Sequence, residues 1–310
     1  MVVYHSLNYT KENHLAFKYL SFLPPSFIFI TGYLIATVYF ARAATNQSGV
    51  QQRLLVRGGK LLLLFTLLNV LASLLLKRGH ESEGFNPLVF FDHWQEIYIT
   101  GSGRFAVFEV LLPIAYLLIL SPAVIWAGHR QQLSLPIITV TLVAACILLE
   151  SQGYYFPNLN FLSAGTLGML AGRVPFQKIA ALGQHVMYTV VAYAAYFFLG
   201  MIIGQDYLVQ TLGAAVALAL IFSLCSRFRV EGWPHTLLIR LGQYSLVSYI
   251  FQIGVLQILS RLMYRPAPFS PGGLFLFTAT LLLTVACVQL IEWARPRSTA
   301  LEKLYKAVFA

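Results

Sequence analysis

Long apolar runs, separated by short polar connections, follow one another along almost the whole chain. A helix needs about 20 apolar residues to cross the hydrocarbon core of a membrane, and nine runs approach this length. The fifth run is the weakest, because it contains Asn158, Asn160 and several glycines. None shows the two-residue alternation of a membrane barrel, so the pattern predicts an all-α, polytopic transmembrane helix bundle. The approximate limits of the runs are 21–41, 59–76, 105–126, 133–150, 158–173, 183–204, 207–225, 239–262 and 273–293.

The composition excludes most other classes of protein. Of the 310 residues, 58% are hydrophobic and only 10% are charged, whereas a soluble domain carries about 25% charged residues. The short connections leave no room for a large extramembrane domain, so we expect a single domain over 1–310. The net charge of +10 arises from basic residues scattered between the apolar runs. This distribution favours contact with membrane lipid and argues against a nucleic-acid partner.

The distribution of lysine and arginine predicts the orientation. Alternate connections carry fourteen basic residues on one side and seven on the other, and the positive-inside rule places the richer side, with the C-terminus, in the cytoplasm. Nine spans would then leave the first fourteen residues outside. The opening MVVYHS is a short apolar stub that contains His5, and it looks like the last turn of a helix whose beginning is absent. We therefore expect a tenth span upstream.

Residues 26–35 read SFIFITGYLI. This segment resembles the FFxxSGYLI segment of the acyltransferase-3 family of integral membrane acyltransferases, with Thr31 in place of the serine and with Gly32 and Tyr33 in register. The stub VVYHS resembles the end of the family's first helix, where a histidine follows an arginine by about eleven residues. That arginine would lie upstream of Met1, and the aspartate often found before the FFxxSG segment falls at Pro25.

Three further segments extend the resemblance over most of the chain. QQRLLVRGGKLLLL is similar to the family's basic entry to its third helix, and NFLSAGTLGMLAGR to its glycine-spaced helix. LGQYSLVSYIFQ resembles the late LGxxSYxxYLxH segment, with Gln252 at the position of the histidine. The expected total of ten helices also agrees with the architecture of the family.

The resemblance implies a function. A member would transfer an acyl group, most often acetyl, from cytoplasmic acyl-coenzyme A to a hydroxyl of a cell-envelope carbohydrate, as a multi-pass protein of the bacterial inner membrane. Acetyl-coenzyme A would be the co-substrate, with no tightly bound cofactor. The hydroxyl proton must go to a base, and an imidazole is suited to this at neutral pH. The resemblance implies that role for His5, while the arginine missing upstream leaves an inactive, truncated member as an alternative.

Charged residues on the two predicted sides of the membrane have a functional and a structural interpretation. Arg53 and Arg57 lie four apart on the cytoplasmic side and would share a helix face. There they would bind the phosphates of acyl-coenzyme A, or serve only as topology signals and phospholipid contacts. Glu109 lies about one turn inside the third run, where an ionisable group is costly and therefore a functional candidate. It would act as a catalytic carboxylate or as a structural partner of Arg104 or His5.

The uncharged motif residues also have two interpretations. Thr31, Gly32 and Tyr33 belong either to the substrate site or to a close helix–helix contact, which glycine permits. Gln252 forms a polar stripe with Ser248 and Tyr249 in the eighth run, and such stripes commonly serve interhelical hydrogen bonding. The dispersed histidines and the lack of zinc or nucleotide motifs predict no metal site.

A secondary transporter or lipid-linked flippase is the alternative from another functional class. Transporters often carry inverted repeats and broken helices with charged residues at the membrane midplane. The two halves of this chain do not match convincingly, and the carboxylates within the apolar runs lie near the ends of those runs. These features favour the enzyme.

Overall fold

The computed structural model describes residues 2–10, 19–43, 45–75, 87–101, 107–203, 206–227, 232–263 and 266–309. Within these ranges the chain is 86% helical and contains no strand, which confirms the predicted all-α class. The helices are α1 (Val2–Asn8), α2 (Leu23–Ile35), α3 (Gln47–Leu75), α4 (Pro87–Asp92), α5 (Leu111–Arg130), α6 (Ser134–Ser151), α7 (Pro157–Ala171), α8 (Phe176–Leu182), α9 (Val186–Ile203), α10 (Tyr207–Arg227), α11 (Trp233–Gln243), α12 (Ser245–Leu262), α13 (Pro271–Ala294) and α14 (Thr299–Phe309).

Two segments have the wider π-helical winding. The first, Ala36–Phe40, continues α2 and is followed by a last α-helical turn, Ala41–Ala43. The second, Gln95–Thr100, lies in the long connection between α3 and α5. A 3-10 turn, Arg295–Arg297, joins the end of α13 to the start of α14.

Seven helices of the described chain are long and apolar enough to cross a membrane, so the protein has the features of a multi-pass membrane protein. The nine or ten spans expected from the sequence are not confirmed. The fifth run forms α7, whose 15 residues extend about 22 Å, less than the roughly 30 Å hydrocarbon core. In the sixth run the apolar stretch is the shorter Val186–Gly200. The seven candidates are Leu23–Phe40, Gln47–Ser73, Leu111–Arg130, Ser134–Ser151, Tyr207–Arg227, Ser245–Leu262 and Pro271–Arg297.

The chain forms two compact units. The large unit is Pro24–Ser223, and the terminal unit combines Met1–Leu23 with Leu224–Ala310. The expectation of one domain over 1–310 stays a prediction.

The large unit is built around a buried apolar cluster to which five helices contribute. Ile28 of α2, Leu54 of α3, Leu117 of α5, Leu135 of α6 and Met169 of α7 are all almost fully buried in it. The cluster explains why these helices pack together although their hydrophobic residues are spread around each helix rather than along one stripe.

Glycines allow α2 and α7 to approach backbone to backbone. A Cβ atom at Gly32 would overlap the carbonyl oxygen of Gly165, and one at Gly168 would overlap the carbonyl oxygen of Phe29. Contacts this close require the absence of a side chain, as at small-residue interfaces of membrane helices. The glycine spacing of the fifth run therefore serves helix packing.

The terminal unit brings the two ends of the chain together. Helix α1 packs against α12 and α13, which also pack against each other. The buried face of α12 combines the apolar Ile253 and Leu256 with the amides of Gln252 and Gln257. Polar side chains therefore lie in the interior of this unit, close to the short helix that carries the predicted base.

Candidate functional site

His5 lies in the interior of the terminal unit, on the middle turn of α1. The side chain is buried, with 6% of its surface exposed. The imidazole centre lies 5.4 Å from the ring centre of Tyr249 and 5.2 Å from that of Tyr4. Among the described residues, no hydrogen-bond partner is present for the buried Nε2 atom of His5. The hydrogen-bonding capacity of that nitrogen is therefore not used by the described part of the chain.

Two polar groups on α12 are also buried without a hydrogen-bond partner among the described residues. They are the side-chain nitrogen of Gln252 and the hydroxyl of Ser248. Ser248 and Gln252 are four residues apart, so they lie on one face of α12, beside the ring of Tyr249 that contacts His5. Leaving a buried polar group unsatisfied costs about 1–3 kcal/mol. Three such groups in one unit make this part of the terminal unit the candidate site for a polar ligand.

The predicted phosphate-binding residues lie in the large unit and are exposed. Arg53 and Arg57 occupy the N-terminal half of α3. Arg57 donates a hydrogen bond from Nη1 to the hydroxyl of Tyr39, at 2.6 Å, and so connects α3 to the π-helical end of α2.

Two further basic side chains, those of Arg173 and His129, lie around Phe40, the next residue of that π-helical turn. The guanidinium of Arg173 lies 5.8 Å from the ring centre of Phe40, and its Nη1 donates to the carbonyl of Gln132 at 2.9 Å. The ring centre of His129 lies 5.5 Å from that of Phe40. Tyr39 and Phe40 thus contact three basic side chains on one surface of the large unit. These are Arg57 of α3, His129 at the end of α5 and Arg173 just after α7. Arg53 and Arg57 were predicted from the sequence, but the grouping of Arg57 with Arg173 around this turn was not.

Glu109 lies two residues before the start of α5, outside the candidate span, whereas the sequence pattern placed it about one turn inside the third run. Helix α5 begins at Leu111, and the candidate span has the same start. Pro113 falls in the first turn of α5, where a missing backbone N–H is tolerated and the fixed φ favours helix initiation. The side chain of Glu109 precedes the helix and is exposed. Arg104, its suggested partner, is outside the described residues. A catalytic role for Glu109 stays a prediction.

The Thr31-Gly32-Tyr33 motif lies at the contact between α2 and α7. The hydroxyl of Thr31 donates to the carbonyl of Phe27, one turn earlier, at 2.9 Å. A Cβ atom at Gly172 would lie 2.7 Å from the carbonyl oxygen of Tyr33, so this residue also belongs to the close backbone approach made by Gly32. These contacts favour the helix-packing interpretation of the motif.

A chain of hydrogen bonds at the end of α13 was not predicted from the sequence. The hydroxyl of Tyr244 donates to Glu292 Oε2 at 2.5 Å and accepts from Arg295 Nη1 at 2.6 Å. Arg295 Nε donates to Glu302 Oε2 at 2.7 Å, and Lys306 Nζ lies 3.1 Å from Glu302 Oε1. The available signal was the amphipathic pattern of residues 299–309, since their charges fall on one side of a helix.

These residues border a cleft of about 740 Å³, which we call the terminal cleft. It lies between the polar face of α14, the end of α13 and the turn between α11 and α12. A second cleft, of about 460 Å³, is in the large unit beside Trp126 and Arg130, where the guanidinium lies over the indole ring.

No family model matches the chain, and comparison with curated proteins and with solved structures finds no match either. The resemblance to the acyltransferase-3 family therefore depends on the short segments alone and stays a prediction.

Proposed function

We propose that this protein is a membrane O-acyltransferase that moves an acyl group, acetyl in the first instance, from cytoplasmic acyl-coenzyme A to a hydroxyl of a cell-envelope carbohydrate. The observation that carries the proposal is the buried imidazole of His5, whose Nε2 has no hydrogen-bond partner among the described residues. A general base must have a ring nitrogen available to the proton that it removes. A histidine with both nitrogens occupied by the protein would not meet this requirement.

The surroundings of His5 support binding of a hydroxyl-bearing acceptor. Ser248 and Gln252 supply a hydroxyl and an amide that are buried and, within the described chain, unsatisfied. A sugar both donates and accepts hydrogen bonds, so it is matched by such a set of groups. In this proposal Ser248 and Gln252 orient the acceptor, and Tyr249 holds the imidazole ring.

The donor requires cations, because coenzyme A carries several phosphates. Arg57 and Arg173 meet at the Tyr39–Phe40 turn of the large unit, and Arg53 lies one turn from Arg57 along α3. Guanidinium groups bind phosphate oxygens with paired, charge-assisted hydrogen bonds. We assign the phosphates of the donor to this surface. The proposed reaction needs no metal and no tightly bound cofactor.

In the proposed chemical step, Nε2 of His5 accepts the proton of the acceptor hydroxyl while its oxygen forms a bond to the thioester carbonyl carbon. The carbon–sulfur bond then breaks, and the sulfur leaves as the coenzyme A thiolate. The imidazolium returns its proton to that thiolate, which leaves an ester and free coenzyme A. No oxidant or reductant takes part.

The test is acyl transfer by the His5→Ala and His5→Gln variants, measured as coenzyme A released from acetyl-coenzyme A and as ester-linked acetate on the envelope carbohydrate of an expressing strain. Loss of a general base lowers the rate by about 10²–10⁴-fold. His235→Ala is the control, since this exposed histidine lies on α11 of the same unit. Thermal unfolding in detergent verifies that each variant is folded.

Wild-type transfer by both folded His5 variants would contradict the proposal. A transporter or flippase gives a different result, in which vesicles accumulate substrate without release of coenzyme A. The two measurements therefore distinguish the enzyme from the alternative functional class.

A further inference from the structure

Helix α14 has a charged side that faces the terminal cleft and an apolar side that faces away from it. Thr299, Glu302, Lys303 and Lys306 line the cleft, and at 100° per residue they occupy one continuous arc of the helix. The apolar residues occupy the remaining arc. Among them, Leu304 has 60% of its surface exposed.

The position of α14 favours a membrane surface. It starts two residues after the candidate span Pro271–Arg297 ends, and the residues that directly follow a span lie near the headgroup region. A short amphipathic helix with basic residues on its polar side is typical of the membrane interface. At the same end of the unit, Trp293 is exposed and carries Arg297 at 4.1 Å from its ring centre. Exposed tryptophans beside arginines are characteristic of headgroup level.

Helix α11 is a second amphipathic helix with exposed apolar residues, and its last residue, Gln243, also lines the terminal cleft. It is amphipathic, and Trp233, Leu238 and Ile239 are exposed. It contacts both α12 and α13, and Arg240 near its end donates to the amide oxygen of Gln289 at 2.9 Å. Two amphipathic helices therefore border the same cleft, each with apolar residues exposed.

The charges in the cleft favour an anion. The two carboxylates already have partners, because Glu292 accepts from Tyr244 and Glu302 accepts from Arg295 and lies beside Lys306. Lys303 lines the cleft, and no carboxylate of the described chain lies within 4.0 Å of it. Arg295 remains at the cleft as well. The volume of about 740 Å³ is within the usual range of ligand sites.

We propose that the terminal cleft binds the phosphate group of an anionic phospholipid, with Lys303 as the principal contact and Lys306 and Arg295 beside it. This site lies in the terminal unit, and it is independent of the acyl-transfer proposal and of its residues.

The experiment is native mass spectrometry of the full chain in neutral detergent, titrated with phosphatidylglycerol or with phosphatidylcholine of identical acyl chains. We expect phosphatidylglycerol to bind several-fold more tightly. Lys303→Gln should weaken its binding about five-fold, the usual contribution of one lysine near an anionic surface, and leave phosphatidylcholine binding unchanged. Lys303→Arg retains the charge and should bind as the wild type does. Lys178→Gln, which removes an exposed lysine of α8, is the matched control.

Three results of the lipid titration would overturn the proposal. These are equal affinity for the two lipids, wild-type affinity of Lys303→Gln for phosphatidylglycerol, and an equal loss in Lys178→Gln. Displacement of the lipid by inorganic phosphate or by coenzyme A at millimolar concentration would also overturn it, because the site would then belong to a soluble anion. None of these results depends on whether the protein transfers acyl groups.

Discussion

The imidazole of His5 packs against the phenol ring of Tyr249, with 5.4 Å between the ring centres and an angle of 58° between the rings. One residue is near the start of the chain and the other lies in α12, more than two hundred positions later. Because α1 has only seven residues, the orientation of its histidine depends on the helices against which it packs.

Tyr249 is therefore expected to position the proposed base. Tyr249→Phe retains the ring and should leave acyl transfer near the wild-type rate, whereas Tyr249→Ala removes the packing surface and should lower kcat about tenfold or more through misplacement of the imidazole. Coenzyme A release at saturating acetyl-coenzyme A measures this difference. Equal rates for the two variants would exclude the positioning role.

Arg57 is expected to act on donor binding rather than on the chemical step. A hydrogen bond to a charged group contributes about 1.5–3 kcal/mol, so Arg57→Gln should raise the KM for acetyl-coenzyme A about tenfold or more with little change in kcat. Tyr39→Phe removes the hydroxyl that accepts from Arg57 but keeps the guanidinium, and it serves as the control. A fall in kcat with an unchanged KM would remove Arg57 from the donor site.

Gly32 is expected to be intolerant of any side chain. Gly32→Ala places a methyl group against the carbonyl oxygen of Gly165, and overpacking of this kind costs about 1–3 kcal/mol. Gly59→Ala is the matched control, because a Cβ atom at Gly59 meets nothing within 4 Å. Thermal unfolding of both variants in the same detergent tests the difference. A Gly32→Ala protein as stable as Gly59→Ala would show that α2 and α7 do not approach this closely.

Acid is expected to detach α14. Hydrogen bonds from Arg295 and Lys306 lower the pKa of Glu302 from 4.5 to about 2. A carboxyl with a lowered pKa stabilises the folded arrangement above its ordinary pKa, and this contribution is lost as the pH falls through the folded value. Hydrogen exchange of residues 299–309, corrected for intrinsic rates, should therefore increase between about pH 4.5 and pH 2. Glu302→Gln should remove most of this dependence, and an unchanged pH profile in that variant would contradict the assignment.

Particular residues show how far prediction from the sequence reached. Each of the nine apolar runs contains a helix, because hydrophobicity sums along a short segment and does not depend on distant residues. Gly32 was identified as a candidate for close packing, since only a glycine would permit it. The count of nine or ten spans is not confirmed. Seven helices of the described chain are long and apolar enough to span a membrane, and α7, from Pro157 to Ala171, has only 15 residues, a limit that the sequence pattern does not define closely.

Glu109 is a residue whose environment the sequence pattern did not predict. Its apolar neighbours suggested a place inside a span, but the start of α5 at Leu111 leaves it on an exposed turn. The cluster of Tyr244, Glu292, Arg295 and Glu302 was missed for a related reason. Its members come from separate elements, and each has an ordinary sequence context when taken alone.

Local composition is enough to predict the class of this protein, which is an all-helical chain with few charged residues, short connections and an excess of positive charge. Hydrophobicity, helix-forming tendency and charge are properties of short segments, so they can be read without knowing which segments pack together. Which polar groups are buried, and which side chains they contact, follows from the packing of the helices, as in the contact of His5 with Tyr249 and the hydrogen bond from Arg295 to Glu302. These contacts depend on how each helix is rotated about its axis and on which helices lie beside it. Both are set by packing between segments that are far apart in the chain.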